Sequence, residues 1–236
     1  MYMAPFFGTR GVPNQVKIGY SFFMSVLIYS TMADKPDLAY STVWGYALIV
    51  LKEAATGAII GFAAVISTMI VTFAGRIIDM ETGMSMANLV DPTTNEMESI
   101  SGVLYQYMVT LMLLISGMYQ YIIKALAETF TLIPINGAVF NTDKLLEAML
   151  DFLTDYITIG FRICLPVFAI MLLLNAVLGI MTKVAPQINM FSVGMQIKVL
   201  TGLATLFITA GMLPTVSDWI YTEVKTAMVT FVSAML

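Results

Sequence analysis

Histidine is absent from this chain, and cysteine occurs once, as Cys164. A lone thiol and no imidazole exclude an intramolecular disulfide, a Cys/His zinc site and histidine acid–base chemistry. Cys164 stands between Ile163 and Leu165, a setting in which cysteine behaves as a small hydrophobe. Charge is also scarce. Only 11% of the 236 residues are charged, against about 25% in an ordinary globular domain. The net charge is −4 and the Lys and Arg residues are scattered along the chain, so the basic stripe of a nucleic-acid binder is missing. The same scatter gives no basis for orienting the chain across a membrane by its positive charges. Met1 to Arg10 lacks the succession of basic, apolar and small residues that marks a signal peptide, so insertion is expected to be directed by internal segments.

What is abundant is apolar sequence, 59% of the chain. A helix crossing about 30 Å of hydrocarbon needs roughly 20 residues without charge. Ala54 to Gly75, Ser99 to Ile123, Ile163 to Thr182 and Val199 to Ser217 satisfy this. Weaker candidates are Val16 to Thr31, Val184 to Ile197 and Thr226 to Leu236. A soluble helix would need a polar face recurring every 3.6 residues, and Gln106, Thr110, Ser116 and Gln120 are too few to wet one face of Leu104 to Ile123. Barrel strands would alternate apolar and polar residues, whereas these runs are apolar on both parities. The fold class expected is therefore all-α, a polytopic membrane protein.

Proline and polar residues subdivide the runs. Pro13, Pro36, Pro92, Pro134 and Pro214 lie near run ends, while Pro166 and Pro186 fall inside apolar stretches and are expected to kink or split helices. Asn141-Thr142-Asp143 reads as a helix start. In the helical pattern that follows, Glu147, Asp151 and Asp155 recur at four-residue spacing, which places them on one face, opposite the leucines, as a solvated face. This acidic group, and that of Asp91, Glu96 and Glu98, belongs in aqueous loops or interfacial helices because carboxylates are costly in hydrocarbon. Polar groups within the runs, among them Ser67, Thr68, Thr72, Gln106, Ser116, Asn175, Gln196 and Lys198, need partners on other helices or a wet cavity. Gly57 and Gly61, four apart, would let two helices approach closely. Twenty methionines supply flexible apolar bulk for irregular surfaces.

Four ordered blocks resemble the FliR family, the flagellar export-gate proteins related to the SctT proteins of injectisomes. The first runs from Ala4-Pro5-Phe6-Phe7 through Arg10-Gly11-Val12-Pro13-Asn14-Gln15. Glu53 with Gly57 and Gly61 leads to the second, Ala74-Gly75-Arg76 through Thr82-Gly83-Met84-Ser85, and on to Val90-Asp91-Pro92. The third is the apolar stretch Leu111 to Gly117, followed by Glu128-Thr129-Phe130 and Pro134. The last and most specific is Ala185-Pro186-Gln187-Ile188-Asn189-Met190-Phe191 with Lys198. Arg76 stands where the family often has Glu, Met118 where His often follows the Gly, and Gln196 where Pro is frequent. Family members begin with another apolar segment before the Ala-Pro motif, so that segment is expected to be short or missing here.

The resemblance implies one export-gate domain over residues 1–236, built of long, kinked helical hairpins in the bacterial inner membrane at the flagellar basal body. The implied partners are the FliP and FliQ gate subunits, FlhB and unfolded export substrates, with lipid around them and no cofactor. It implies a pore plug at Met112, Ile115, Ser116, Gly117 and Met118. Subunit contacts are expected at Gly57, Gly61, Gly75, Gly83, Asp91, Pro92, Pro186, Gln187, Asn189, Phe191 and Lys198. An injectisome subunit is the related alternative. A secondary transporter would need paired ionisable residues near mid-membrane, and Arg162 and Lys198 have no acidic partner in an adjacent apolar run.

Overall fold

The computed structural model describes residues 4–8, 12–31, 42–87, 89–90, 97–185 and 190–236. The helices among them are α1 (Asn14–Thr31), α2 (Val43–Thr82), α3 (Ile100–Ile115), α4 (Met118–Leu132), α5 (Thr142–Val184), α6 (Met190–Thr209) and α7 (Leu213–Ser233). Short 3-10 turns cover Met84–Ala87 and Ala210–Met212. A two-residue antiparallel ladder pairs β1 (Leu89–Val90) with β2 (Met97–Glu98). Apart from that ladder the regular structure is helical, as expected.

Among the described residues three helical runs are long and apolar enough to cross a membrane: Val43–Thr82, Thr142–Val184 and Val193–Ser233. Helices α3 and α4 qualify together as a fourth, bent span. The chain is thus a polytopic helical membrane protein, with its spans drawn differently from the sequence. Ser99 to Ile123 is not one helix but two, interrupted at Ser116-Gly117. Val16 to Thr31 forms α1 but is not among the candidate spans. Thr226 to Leu236 is only the end of α7 and its tail.

Helix α2 has 40 residues, about 60 Å at 1.5 Å per residue, roughly twice the hydrocarbon thickness. Helix α5 has 43 and includes both the acidic segment and the apolar run after it. Asn141 caps it: its Oδ1 accepts from the N–H groups of Asp143, 3.0 Å, and Lys144, 3.3 Å, while Asp143 places negative charge in the first turn, where the helix dipole favours it. Pro166 does not split α5. Neighbouring Cys164, Val167 and Met171 are each no more than 1% exposed, and this packing on both sides of the proline carries the helix past its missing donor. Pro186, Gln187 and Asn189 lie outside the described residues, between the end of α5 and the start of α6.

The chain separates into two compact units. The first comprises residues 1–68, 113–154 and 221–236. Within it Leu113, Met118, Ile122, Val224 and Met235 are no more than 1% exposed. Phe152 meets Phe231 edge-on at 6.4 Å, and the Lys225 ammonium lies over the rings of Tyr121 and Tyr221 at 4.8 and 4.3 Å. The turn after α4 is held from two sides. Asn136, in the left-handed region at φ 67, donates its N–H to Glu53 Oε1 at 2.7 Å and accepts at its carbonyl from Lys52 Nζ at 2.8 Å. Val139 N–H then donates to the Met235 carbonyl, 2.8 Å.

The second unit comprises residues 69–112 and 155–220, with Ile70, Val71, Ile78, Val167, Met171 and Ile220 in its core. Three glycines permit its close contacts. A Cβ on Gly75 would overlap the Gly102 backbone, one on Gly160 the Phe73 ring and one on Gly202 the Thr82 side chain. Thr72 and Gln106 join α2 to α3 through a 3.2 Å hydrogen bond, and Tyr105 and Thr209 share one of 3.3 Å. The Arg162 guanidinium lies 5.2 Å over Trp219. In the first unit, the Ser67 and Thr68 hydroxyls are satisfied within α2 itself, donating to the carbonyls of Ala63 at 2.8 Å and Val65 at 2.6 Å.

Candidate functional site: a broken helix with an exposed apolar tip

Leu111 to Ile115 is apolar and helix-forming, and the run fails at Gly117, which takes φ 80 and ψ 18. That left-handed conformation is open to glycine and costly for residues with a Cβ. A Cβ at Gly117 would find only Gln120 Oε1, at an ordinary 3.8 Å, so backbone conformation rather than space demands glycine. The break is closed by local hydrogen bonds. Gly117 N–H donates to the Leu114 carbonyl at 3.2 Å, and the Gly117 carbonyl accepts from Gln120 and Tyr121 N–H at 3.0 and 3.2 Å. The Ser116 hydroxyl donates to the Leu113 carbonyl at 3.0 Å. Bonds within one turn thus take over part of what a continuous helix would have supplied.

The flanking side chains divide into anchors and a tip. Leu113, Met118 and Ile122 are 1%, 0% and 1% exposed. Ile115 is 87% exposed, beside exposed Ser116 and half-buried Gly117. Of the five residues expected to form a plug, Ile115, Ser116, Gly117 and Met118 lie together in the first unit, with Ile115 projecting and Met118 buried. Met112 belongs to the second unit and is half-buried.

The expected contact residues fall in several places. Gly57 is exposed, and a Cβ added there would meet nothing within 4 Å, whereas Gly61 is buried, so within this chain the pair does not act as one contact. Gly75 is locked against Gly102 in the second unit. Gly83, at φ 83, terminates α2. Phe191 is in the first turn of α6, and Lys198 is half-buried further along it. Asp91 and Pro92, like Pro186, Gln187 and Asn189, are outside the described residues.

One polar group escapes a reading of the sequence. Asp79, 1% exposed in α2, accepts the Ser99 hydroxyl at 2.7 Å and the Ser101 N–H at 3.3 Å. Ser99 in turn accepts the Gly102 N–H at 2.9 Å. Ser99 is therefore the N-cap of α3, and Asp79 completes the cap from another helix, where its charge meets the positive helix end. The available signal is a carboxylate within the Arg76 to Met80 helical stretch, followed by a Ser at the head of the next apolar run. Among the described residues no group of His, Cys, Asp and Glu gathers to hold a metal, and Cys164 is buried with its thiol directed to the Phe161 carbonyl at 3.3 Å.

Fold and site together define a multi-pass helical membrane protein whose distinctive element is a glycine-broken apolar helix. Comparison with known proteins narrows this class. Residues 1–224 match the family described as bacterial export proteins, family 1. The chain is similar to the flagellar biosynthetic protein FliR of Bacillus subtilis (strain 168), with 30% identity over 86% of this chain and 79% of that protein. It is also similar to FliR of Aquifex aeolicus (strain VF5), 28% identical over 89% and 80%, and of Escherichia coli (strain K12), 24% identical over 98% and 88%. The chain belongs to the FliR family of bacterial export proteins.

Proposed function

We propose that this chain is a subunit of the flagellar type III export gate in the bacterial inner membrane, at the basal body. With FliP and FliQ, and in contact with FlhB, it forms the channel through which unfolded flagellar proteins leave the cytoplasm. The observation that carries this reading is the match to the export family over residues 1–224, with relatives named as flagellar biosynthetic proteins. Helices of 40 and 43 residues support it, because they exceed what one bilayer crossing requires, and apolar surface beyond the bilayer needs other subunits to cover it.

In this reading the break at Ser116-Gly117 is the gating element. Leu113, Met118 and Ile122 hold it in place, while Ile115 and its exposed neighbours supply an apolar constriction. Such a seal excludes water and ions by dewetting and yields to a passing chain, since no strong directional bond has to be broken. The residues outside the core, Gly57 above all, are available for contact with sister subunits. The test is co-purification: the tagged chain expressed with FliP and FliQ is expected to yield a stable three-component complex from detergent-solubilised membranes. Recovery of the chain free of both, under conditions in which FliP and FliQ are themselves recovered folded, would overturn the assignment.

A further inference from the structure

Lys225 of α7 is half-buried in the first unit, and among the described residues no carboxylate lies within ion-pairing distance of its ammonium. The acid of α4 is engaged elsewhere, Glu128 pairing with Lys124 of the same helix at 3.6 Å. What the ammonium meets is the face of two aromatic rings. Its Nζ lies 4.3 Å from the centre of the Tyr221 ring and 4.8 Å from that of Tyr121, and the two ring centres are 6.1 Å apart with their planes inclined by 53°. Both contacts fall inside the roughly 6 Å over which a ring face attracts a cation.

The two rings differ in what they hold. Tyr221 stands four residues before Lys225 on α7 itself, so that contact persists whatever α4 does. Tyr121 comes from the first turn of α4, and its N–H donates to the Gly117 carbonyl at 3.2 Å, which ties it to the backbone of the break. It is the group through which the cation reaches α4. Met118, Tyr121 and Ile122, at i, i+3 and i+4, share one side of that helix, and Met118 and Ile122 are fully buried. Apolar burial is non-directional: it holds α4 on the core but tolerates rotation or sliding. The ammonium is satisfied only where the Tyr121 ring lies over it. We infer that Lys225 is a positioning residue, a clamp that fixes the first turn of α4 against α7 just beyond the Gly117 break. The clamp stands on this geometry alone, and its bearing on conduction rests on the gating role proposed for the break.

The test follows the lifting of α4 in the full chain in native membranes, in a Cys164→Ala background so that a single introduced thiol is labelled. The thiol of Ile122→Cys, at a position 1% exposed, is reached by a maleimide only while α4 is off its seat, so its labelling rate scales with the displaced fraction. Ala148→Cys, at a 4% exposed position of α5 in the same unit, reports loosening of the unit as a whole. Lys225→Met, which keeps a long side chain without the charge, should speed labelling at position 122 by roughly three- to tenfold, the range of a cation–π contact, and leave the rate at position 148 unchanged. Tyr121→Leu should do the same, and Tyr121→Phe, which keeps the ring, should label as the parent does. Lys225→Met with Tyr121→Leu should be no faster than either alone. An unchanged rate in Lys225→Met, equal acceleration at position 148, or effects of the two substitutions that multiply would each overturn the clamp. Dye uptake in Lys225→Met separates the clamp from gating: faster labelling with wild-type uptake would uphold the clamp and refute the gating role, whereas an unchanged labelling rate sinks the clamp at any uptake.

Discussion

Replacing Gly117 separates the gating reading from that of an ordinary helix interruption. At φ 80 a residue with a Cβ pays about 1–2 kcal/mol to stay left-handed, and the nearest atom to that Cβ, Gln120 Oε1 at 3.8 Å, adds no clash. The whole effect is therefore conformational. The equilibrium at issue is between two folded forms, broken and continuous, so the entropy of the unfolded chain does not enter. A change of about 1–2 kcal/mol moves that equilibrium by roughly 5- to 30-fold. Gly117→Asn should have the smallest effect, because Asn tolerates the left-handed region; Gly117→Ala should be intermediate and Gly117→Val largest, being β-branched. If the tip forms the proposed constriction, straightening withdraws Ile115 from it. Uptake of a small impermeant dye by cells expressing the gate should therefore rise in the order Asn, Ala, Val, with complex recovery unchanged. Wild-type permeability in all three variants, in intact complexes, would refute the gating role proposed for the break.

The anchor and the tip should respond in opposite ways. Met118→Ala empties a fully buried site and should cost about 2–5 kcal/mol, seen as a lower melting temperature in detergent. Ile115→Ala, at an 87% exposed position, should change stability by less than about 0.5 kcal/mol yet raise dye uptake. Asp79→Ala strands the Ser99 hydroxyl and the Ser101 N–H in a buried cap, at about 1–3 kcal/mol for each unsatisfied group. Asp79→Asn, which keeps an acceptor oxygen, should lower the melting temperature less, and equal melting of both variants with wild type would count against the cap.

The long apolar runs make the helical class legible, and Asn141-Thr142-Asp143 marks the start of α5 because a capping side chain and its helix are adjacent in sequence. The break at Gly117 falls within a run that the family resemblance singles out, yet its position does not follow from hydropathy: Ser99 to Ile123 is uncharged throughout, and only the φ of Gly117 interrupts it. Other features depend on contacts remote in sequence. Asp79 meets Ser99 across the β1–β2 connection, and nothing local to either residue announces the pair. In the first turns of α5 the side that is buried is fixed by a contact remote in sequence, the packing of Phe152 on Phe231. Pro166 does not split α5, where burial of Cys164, Val167 and Met171 offsets the cost of its missing donor.

A subunit of the export gate is one on which flagellar export depends. The most direct test is the amount of flagellin and hook protein released into the medium by the cell that encodes this chain, after deletion of its gene and after restoring the intact chain. Release should fall to background in the deletion strain and return with the chain, while cytoplasmic flagellin remains detectable. Undiminished release from the deletion strain would contradict the assignment.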